Sequence, residues 1–340
     1  MSYQRIVVGV DFSTASLNAV RWVSGQFAPG ARIFVVHVVP LPRTPGFLRP
    51  PNEPLPDVPS AGPTLYPGLR VFAELAGAGR SDVEIRSGSP AAELTRIAEE
   101  VGADLICVGR TRQRRGSGRF GATTPQRLLS RTNIPVLIVP DTARIAPGAV
   151  LAAMSDGRDG VEVLRAAGRL AAAWRVRLDA LHAIDPDALS YARRSLATSG
   201  GDSHCCLLAQ EWIVRQVGEL PLQGVRVHAI ARVGDAGEET IAHAARNNIG
   251  LIVAGRRTDD ERAGAFEIGS TTRLITWASA CPVLVHGTSA VGAKPVAAPM
   301  SLHEPWRAAP AKRLELSGGR VVRGHHLPRR TPPGGGDDAA

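Results

Sequence analysis

Five short apolar runs in the first 140 residues return in the same order in residues 149–286, and this repetition restricts the chain more than any other feature. RIVVGV (5–10), ARIFVVHVV (31–39), DVEIR (82–86), ADLICVG (103–109) and PVLIVP (135–140) form the first set. AVLAAM (149–154), RLDALHAI (177–184), GVRVHAI (224–230), GLIVAG (250–255) and PVLVH (282–286) form the second. Landmark residues keep step between the two. Asp11 and Ser155 lie 144 positions apart, His37 and His182 145, Gly88 and Gly234 146, Gly109 and Gly255 146, and Pro135 and Pro282 147. A drift of three residues over a whole domain is hard to obtain by chance. Most of the runs are too continuously apolar for strands wetted on one face, and helical stretches separate them, which is the pattern of βα units around a parallel sheet. The fold class expected is α/β: two tandem, doubly wound, five-stranded, Rossmann-like parallel-sheet domains over 1–141 and 148–287.

The clearest helices are TASLNAVRWVSGQF and SPAAELTRIAEEVG, the second opened by Ser89 as cap and Pro90 in the first turn. Two stretches interrupt the pattern. Residues 40–68 carry so many prolines that a helix is excluded and a long surface loop expected. Residues 288–340, rich in Pro, Gly and charge, read as a disordered tail with both lysines, six arginines and four acids, so +4 of the net +9 lies there.

The charge balance, 40 Lys+Arg against 31 Asp+Glu, favours anionic partners. Its composition excludes some chemistry. No lysine precedes Lys294, so a Walker-type phosphate loop and Schiff-base catalysis have no amine to work with in the body of the chain. The four cysteines, Cys107, Cys205, Cys206 and Cys281, form no C-x-x-C pair and read as reduced thiols. The opening apolar run breaks at Asp11, and no later run reaches the length of a membrane span, so a soluble cytoplasmic protein is expected.

In a doubly wound sheet, ligands bind at the carboxyl ends of the strands where the strand order reverses. Asp11 ends the first strand, either to accept hydrogen bonds from ribose hydroxyls or, with Ser13, to cap the first helix. The fourth strand ends at Gly109 and runs into RTRQRRGSGRFGATT, where Arg110, Arg112, Arg114, Arg115 and Arg119 stand without an acid before a helix near Ala122. Such a loop is either a phosphate site, with Thr123 and Thr124 as added donors, or an exposed basic segment. His37 and His182 hold equivalent places and suggest a shared packing role. His204-Cys205-Cys206 reads as a helix start rather than a metal site, and no Ser/His/Asp spacing or G-x-S-x-G elbow supports nucleophilic catalysis.

VVGVDFS near the start, HVV in the second strand, Gly88 before a helix, DLICVG and PVLIVP together resemble the universal stress protein family, and both halves carry the resemblance. It implies an ATP site in the first half made by Val10, Asp11, Val38, Val108, Gly109, Arg112, Ala122, Thr123 and Thr124, with Mg²⁺ accompanying the nucleotide. Asp11 would meet the ribose and backbone at Val38 the adenine. The family's phosphate motif G-x2-G-x9-G-[ST] reads Gly109-x2-Arg112-x9-Ala122-Thr123 here, so two glycines are replaced, and Arg112 either blocks close approach or contacts phosphate. The second half departs further, with Ser155 at the aspartate position, Thr258 and an extra residue before Gly269-Ser270, and Asp259, Asp260 and Glu261 to repel phosphate. It is expected not to bind ATP.

The resemblance also implies that the two fifth strands pair within the chain as an internal pseudo-dimer, leaving a monomer or a further homodimer open. A stress-response signalling and binding module, not an enzyme and without a metal site of its own, is the leading expectation. A nucleotide-independent adaptor for a protein partner, a slow ATPase and nucleic-acid binding through the basic loop and tail are the alternatives, the last two with less in their favour.

Overall fold

The computed structural model describes residues 3–27, 30–40, 67–77, 81–111, 123–145, 148–156, 158–190, 202–222, 224–256 and 268–287. The first half runs β1 (Arg5–Val10), α1 (Thr14–Gln26), β2 (Arg32–Val39), α2 (Pro67–Ala76), β3 (Ser81–Ser87), α3 (Pro90–Glu100), β4 (Leu105–Arg110), α4 (Thr124–Leu129) and β5 (Val136–Pro140). The second runs β6 (Ala149–Met154), α5 (Arg158–Trp174), β7 (Leu178–Ile184), α6 (Asp202–Gly218), β8 (Val227–Val233), α7 (Ala236–Arg246), β9 (Ile249–Gly255), α8 (Ser270–Ala278) and β10 (Val283–His286). All ten expected strands are present. No helix among the described residues is long and apolar enough to cross a membrane.

The strands join in a single sheet of order β3-β2-β1-β4-β5-β10-β9-β6-β7-β8. Within each half every pairing is parallel, and the halves meet where β5 and β10 run antiparallel, with Leu137 opposite Leu284 and Val136 opposite Val285. The sheet therefore has an internal two-fold character centred on this pair, and the pairing of PVLIVP with PVLVH is as expected. It removes two strand edges that would otherwise be open.

Helices cover both faces, so successive strand residues enter different cores. Ile6, Val8, Leu105, Cys107, Leu137 and Leu284 pack with α1, α2, α5 and α6 on one face, and Val7, Ile106, Val136, Ile138 and Val283 with α3, α4, α7 and α8 on the other. Each core continues across the junction. On the first face Trp22 of α1 meets Trp174 of α5 at 5.6 Å between ring centroids, and the Trp174 indole donates to Gln26 O at 2.8 Å.

Two expectations, on the 40–68 stretch and on β8, need correction, and two hold with detail added. The stretch taken as helix-free over 40–68 ends inside α2, because Pro67 occupies the first turn, where its missing N–H is not needed; residues 41–66 and the 288–340 tail lie outside the described residues. Strand β8 is shifted three residues from 224–230, since the paired β7 (Leu178 with Val227, Ile184 with Val233) sets its limits. The helix expected near Ala122 begins at Thr124. Ser89 does precede α3, but its side chain makes no cap hydrogen bond.

Candidate functional site

The neighbours of β1 are β2 and β4, so the chain leaves β1 and β4 in divergent directions and a crevice opens between their carboxyl ends. Asp11 stands at its rim, exposed. The helix cap is Ser13, whose hydroxyl oxygen accepts from Ser16 N at 3.2 Å. Asp11 secures that cap: its Oδ1 accepts from the Ser13 amide at 3.1 Å and from the Ser13 hydroxyl at 2.5 Å. Among the described residues, Oδ2 receives no donor. Partial burial raises the Asp11 pKa, but the bonds from Ser13 and Ser16 outweigh it and hold the carboxyl below its usual range. The group is ionised at neutral pH with one oxygen available, so the two readings of Asp11 are compatible.

Phe12 follows in the left-handed region, φ 63°, which costs a non-glycine residue about 1–2 kcal/mol. Its ring is 42% exposed and leans on His37, 4.6 Å between centroids, and on Phe72 at 5.8 Å. His37 Nδ1 bonds Val10 O at 2.8 Å, and in the second half His182 Nδ1 bonds Met154 O at 3.1 Å, which is the shared structural role their spacing suggested. Sequence reasoning passed over Phe12; its signal was a bulky residue between Asp11 and a helix cap.

Val10, Asp11, Val38, Val108 and Gly109 are brought to the same end of three adjacent strands, Val38 and Val108 as buried residues of the α3 face. Gly109 has a structural reason to be glycine. An added Cβ would lie 2.4 Å from the Ala15 carbonyl carbon and 2.5 Å from Ser16 N, so the first turn of α1 fills that space. Thr123 caps α4, with its amide donating to Gln126 Oε1 at 3.0 Å, and Thr124 opens the helix. Arg112, Arg114, Arg115, Arg119 and Ala122 lie outside the described residues.

Arg110, counted with the phosphate-facing arginines, turns elsewhere. Its guanidinium donates to Trp277 O and Ser279 O at the end of α8 in the other half. The residue 146 positions on, Arg256, donates to Thr132 O just beyond α4, so two arginines clasp the halves reciprocally. Each sits on carbonyls in the last turn of a helix or just beyond it, where a cation is favoured. The matched spacing of Gly109-Arg110 and Gly255-Arg256 carried this signal in the sequence. Arg256 is 1% exposed, and burial lowers its pKa to about 10.

In the second half the crevice is built differently. Ser155 replaces the carboxylate, and α5 presses on it so closely that a Cβ at Gly160 would fall 1.9 Å from Ser155 O. Gly269 caps α8, while Thr258, Asp259, Asp260 and Glu261 lie outside the described residues. His204, Cys205 and Cys206 lie in the first turn of α6, and no group of three or more His, Cys, Asp or Glu among the described residues is arranged to hold a metal. Burial pushes the Cys107 and Cys281 thiols above their ordinary range, which makes them poor nucleophiles.

These features define a tandem α/β protein of the doubly wound class, with one acidic crevice at a topological switch point and a second half whose equivalent crevice lacks the acid. The particular family follows from comparison: the universal stress protein family model matches residues 2–140 and again 148–286, and the chain belongs to that family. A universal stress protein from Archaeoglobus fulgidus DSM 4304 shares the fold at 16% identity and TM-score 0.58, covering 84% of this chain and 98% of its own. A putative universal stress protein from Pseudomonas aeruginosa UCBPP-PA14 does so at 15% identity and TM-score 0.52, with 84% and 93% covered. A universal stress protein solved in complex with cAMP is 28% identical over 42% of this chain and 99% of its own, with TM-score 0.31. No curated protein matches the chain.

Proposed function

We infer that the chain is a stress-response binding module whose first half takes an adenine nucleotide, ATP with Mg²⁺, in the β1/β4 crevice, and whose output is contact with a protein partner in the cytoplasm. The observation that carries this reading is the ionised Asp11, exposed at the switch point with Oδ2 unengaged and Oδ1 tied to Ser13. Such an oxygen suits ribose hydroxyls, which need an acceptor. Val38 and Val108 would flank the base and sugar, and Arg112, Ala122, Thr123 and Thr124 would lie toward the phosphates. Mg²⁺, when bound with the nucleotide, would screen phosphate charge. Binding without turnover fits a crevice rim that offers one carboxylate and whose nearest hydroxyl, Ser13, is engaged as the cap of α1, accepting from Ser16 N. The second half would act as a structural partner, since Ser155 offers no charge and Gly160 packs against it.

One observation favours a nucleotide-independent adaptor instead: Arg110 is spent on the α8 carbonyls and withdrawn from any phosphate. Calorimetric titration of the full chain with ATP and Mg²⁺ decides between them. One equivalent is expected, weakened in Asp11→Asn, which keeps an acceptor for Ser13, and lost in Asp11→Ala. Absence of binding would overturn the nucleotide reading, and a second equivalent would overturn the assignment of the second half.

A further inference from the structure

At the amino ends of β7 and β8 a cleft of about 620 Å³ opens beneath the end of α5. Arg175, Arg177 and Arg226 line it, with Ala171, Val176 and Val225 supplying apolar wall and no acidic side chain among the lining residues. Because the halves run antiparallel, it shares an end of the sheet with the Asp11 crevice. It stands six strand positions from β1, roughly 29 Å at the usual 4.8 Å spacing.

The three guanidiniums are not equally committed. Arg177 is fixed by Asp179, Nε to Oδ1 at 2.6 Å and Nη2 to Oδ2 at 2.9 Å, with Nη2 also donating to Asn247 O, while its Nη1 has no acceptor among the described residues. Arg175 and Arg226 are exposed and have no acidic partner among those residues. One carboxylate therefore balances three cations.

The backbone at Arg175 adds an independent reason. Helix α5 ends with Val176 N bonded to Ala171 O at 3.0 Å and Arg175 N to Ala172 O at 3.2 Å, the turn that places its penultimate residue in the left-handed region. Glycine is favoured there, and α3 ends in the same turn on Gly102 at φ 59°. α5 instead holds Arg175 at φ 56°. A charged residue kept where glycine is less strained is the kind of outlier that marks a binding site. Counting by the 145-residue spacing of His37 and His182, the first half has Gly30 in place of Arg175 and Phe27 in place of Ala172, and the Phe27 ring packs against Tyr3 and Trp22.

We propose that this cleft binds a small phosphorylated molecule, its phosphate held by Arg175, Arg226 and the free Nη1 of Arg177 and its apolar portion lying on Ala171, Val176 and Val225. Forked guanidiniums suit phosphate oxygens, and the volume fits one small ligand rather than a track along a polymer.

Phenyl phosphate is the probe, titrated calorimetrically into the full chain carrying Asp11→Ala, so that the first-half crevice is separated from the readout. Saturable binding near one equivalent is expected, weakened at least tenfold by Arg226→Gln and at least tenfold by Arg175→Gly. The glycine variant should melt about 1–2 °C higher than its parent, because it relieves the left-handed strain. Weaker binding by a more stable protein cannot come from unfolding. No saturable binding, affinity unchanged within twofold in the Arg175→Gly/Arg226→Gln double variant, or binding lost only in step with the melting temperature would each overturn the proposal.

Discussion

Replacing Asp179 by alanine should cost about 3 kcal/mol, at the low end of what breaking a buried ion pair costs. The structure sets that figure. Asp179 is 1% exposed on β7 and receives two bonds from Arg177 and one from His243 Nε2 at 2.8 Å, with His228 at 3.5 Å. Arg177 keeps 32% of its side chain in solvent and can recover water when the carboxylate is lost, whereas His243, 10% exposed, cannot. By the repeat spacing, Asp179 and His243 correspond to Phe34 and Ile97, which are core residues of the first half, and Arg177 to Arg32, which stacks on Phe34 at 5.2 Å. The double variant Asp179→Phe/His243→Ile should therefore rebuild an apolar pair and lie within about 1 kcal/mol of the parent, since each buried side chain contributes about 1.5–3 kcal/mol. Urea denaturation at pH 7 reads both. The hydrogen bonds hold the Asp179 pKa below its ordinary value against the opposing effect of burial. Its contribution is then full above the unfolded pKa, near 3.9, and is lost as pH falls through the lower folded value. The parent should lose more stability than the double variant between about pH 5 and pH 3. A single variant costing under about 1 kcal/mol, or a double variant as weak as the single, would refute the reasoning.

Gly109→Ala should cost about 2–3 kcal/mol, because the new methyl meets the α1 backbone rather than a side chain that can swing away; unchanged denaturation would contradict the packing described. Leu284→Ala removes a residue 1% exposed at the junction and should cost about 2–5 kcal/mol, read from the urea midpoint. Gly234, at φ 152°, should resist alanine by about 1–3 kcal/mol, a difference visible in thermal melting.

The strands were legible because βα repetition leaves few alternatives and because burial on both faces writes nearly continuous apolar runs. Legibility failed where a partner, not the local sequence, sets the outcome. β8 is an edge strand with few buried residues, so its apolar signal is weak and the register with β7 decides its ends. α2 follows a proline-dense run, and the same Pro67 that argues against a helix is well suited to its first turn. The crevice was legible as Asp11 and Gly109 in the expected neighbourhood, but the left-handed backbone at Phe12 depends on packing that no motif records. Arg110 looked like one of five loop arginines; its acceptors lie 167 and 169 residues away, across the β5/β10 junction.

The two halves agree and disagree in a pattern that separates architecture from specialisation. His37 and His182, Gly88 and Gly234, Leu137 and Leu284, and Arg110 and Arg256 occupy matching places and make matching contacts or conformations, and each serves a strand end, a turn or the junction. The junction demands this, because each half supplies the carbonyls that the other half's arginine needs. Acids, in contrast, have moved. The first half keeps Asp11 at its crevice and an exposed Arg32–Asp82 pair at its edge, 54% and 48% exposed. The second half has Ser155 and His228 at those positions and an acid inside at Asp179, which fixes Arg177 beside the cleft. An acid displaced from the edge to the interior stops being a solvated neighbour and becomes a clamp on a guanidinium, and with Arg175 and Arg226 beside it the local charge turns positive. The halves have thus kept one frame while the first carries an acid at the carboxyl end of β1 and the second gathers guanidiniums at the amino ends of β7 and β8, both on a single sheet whose centre the two halves must close.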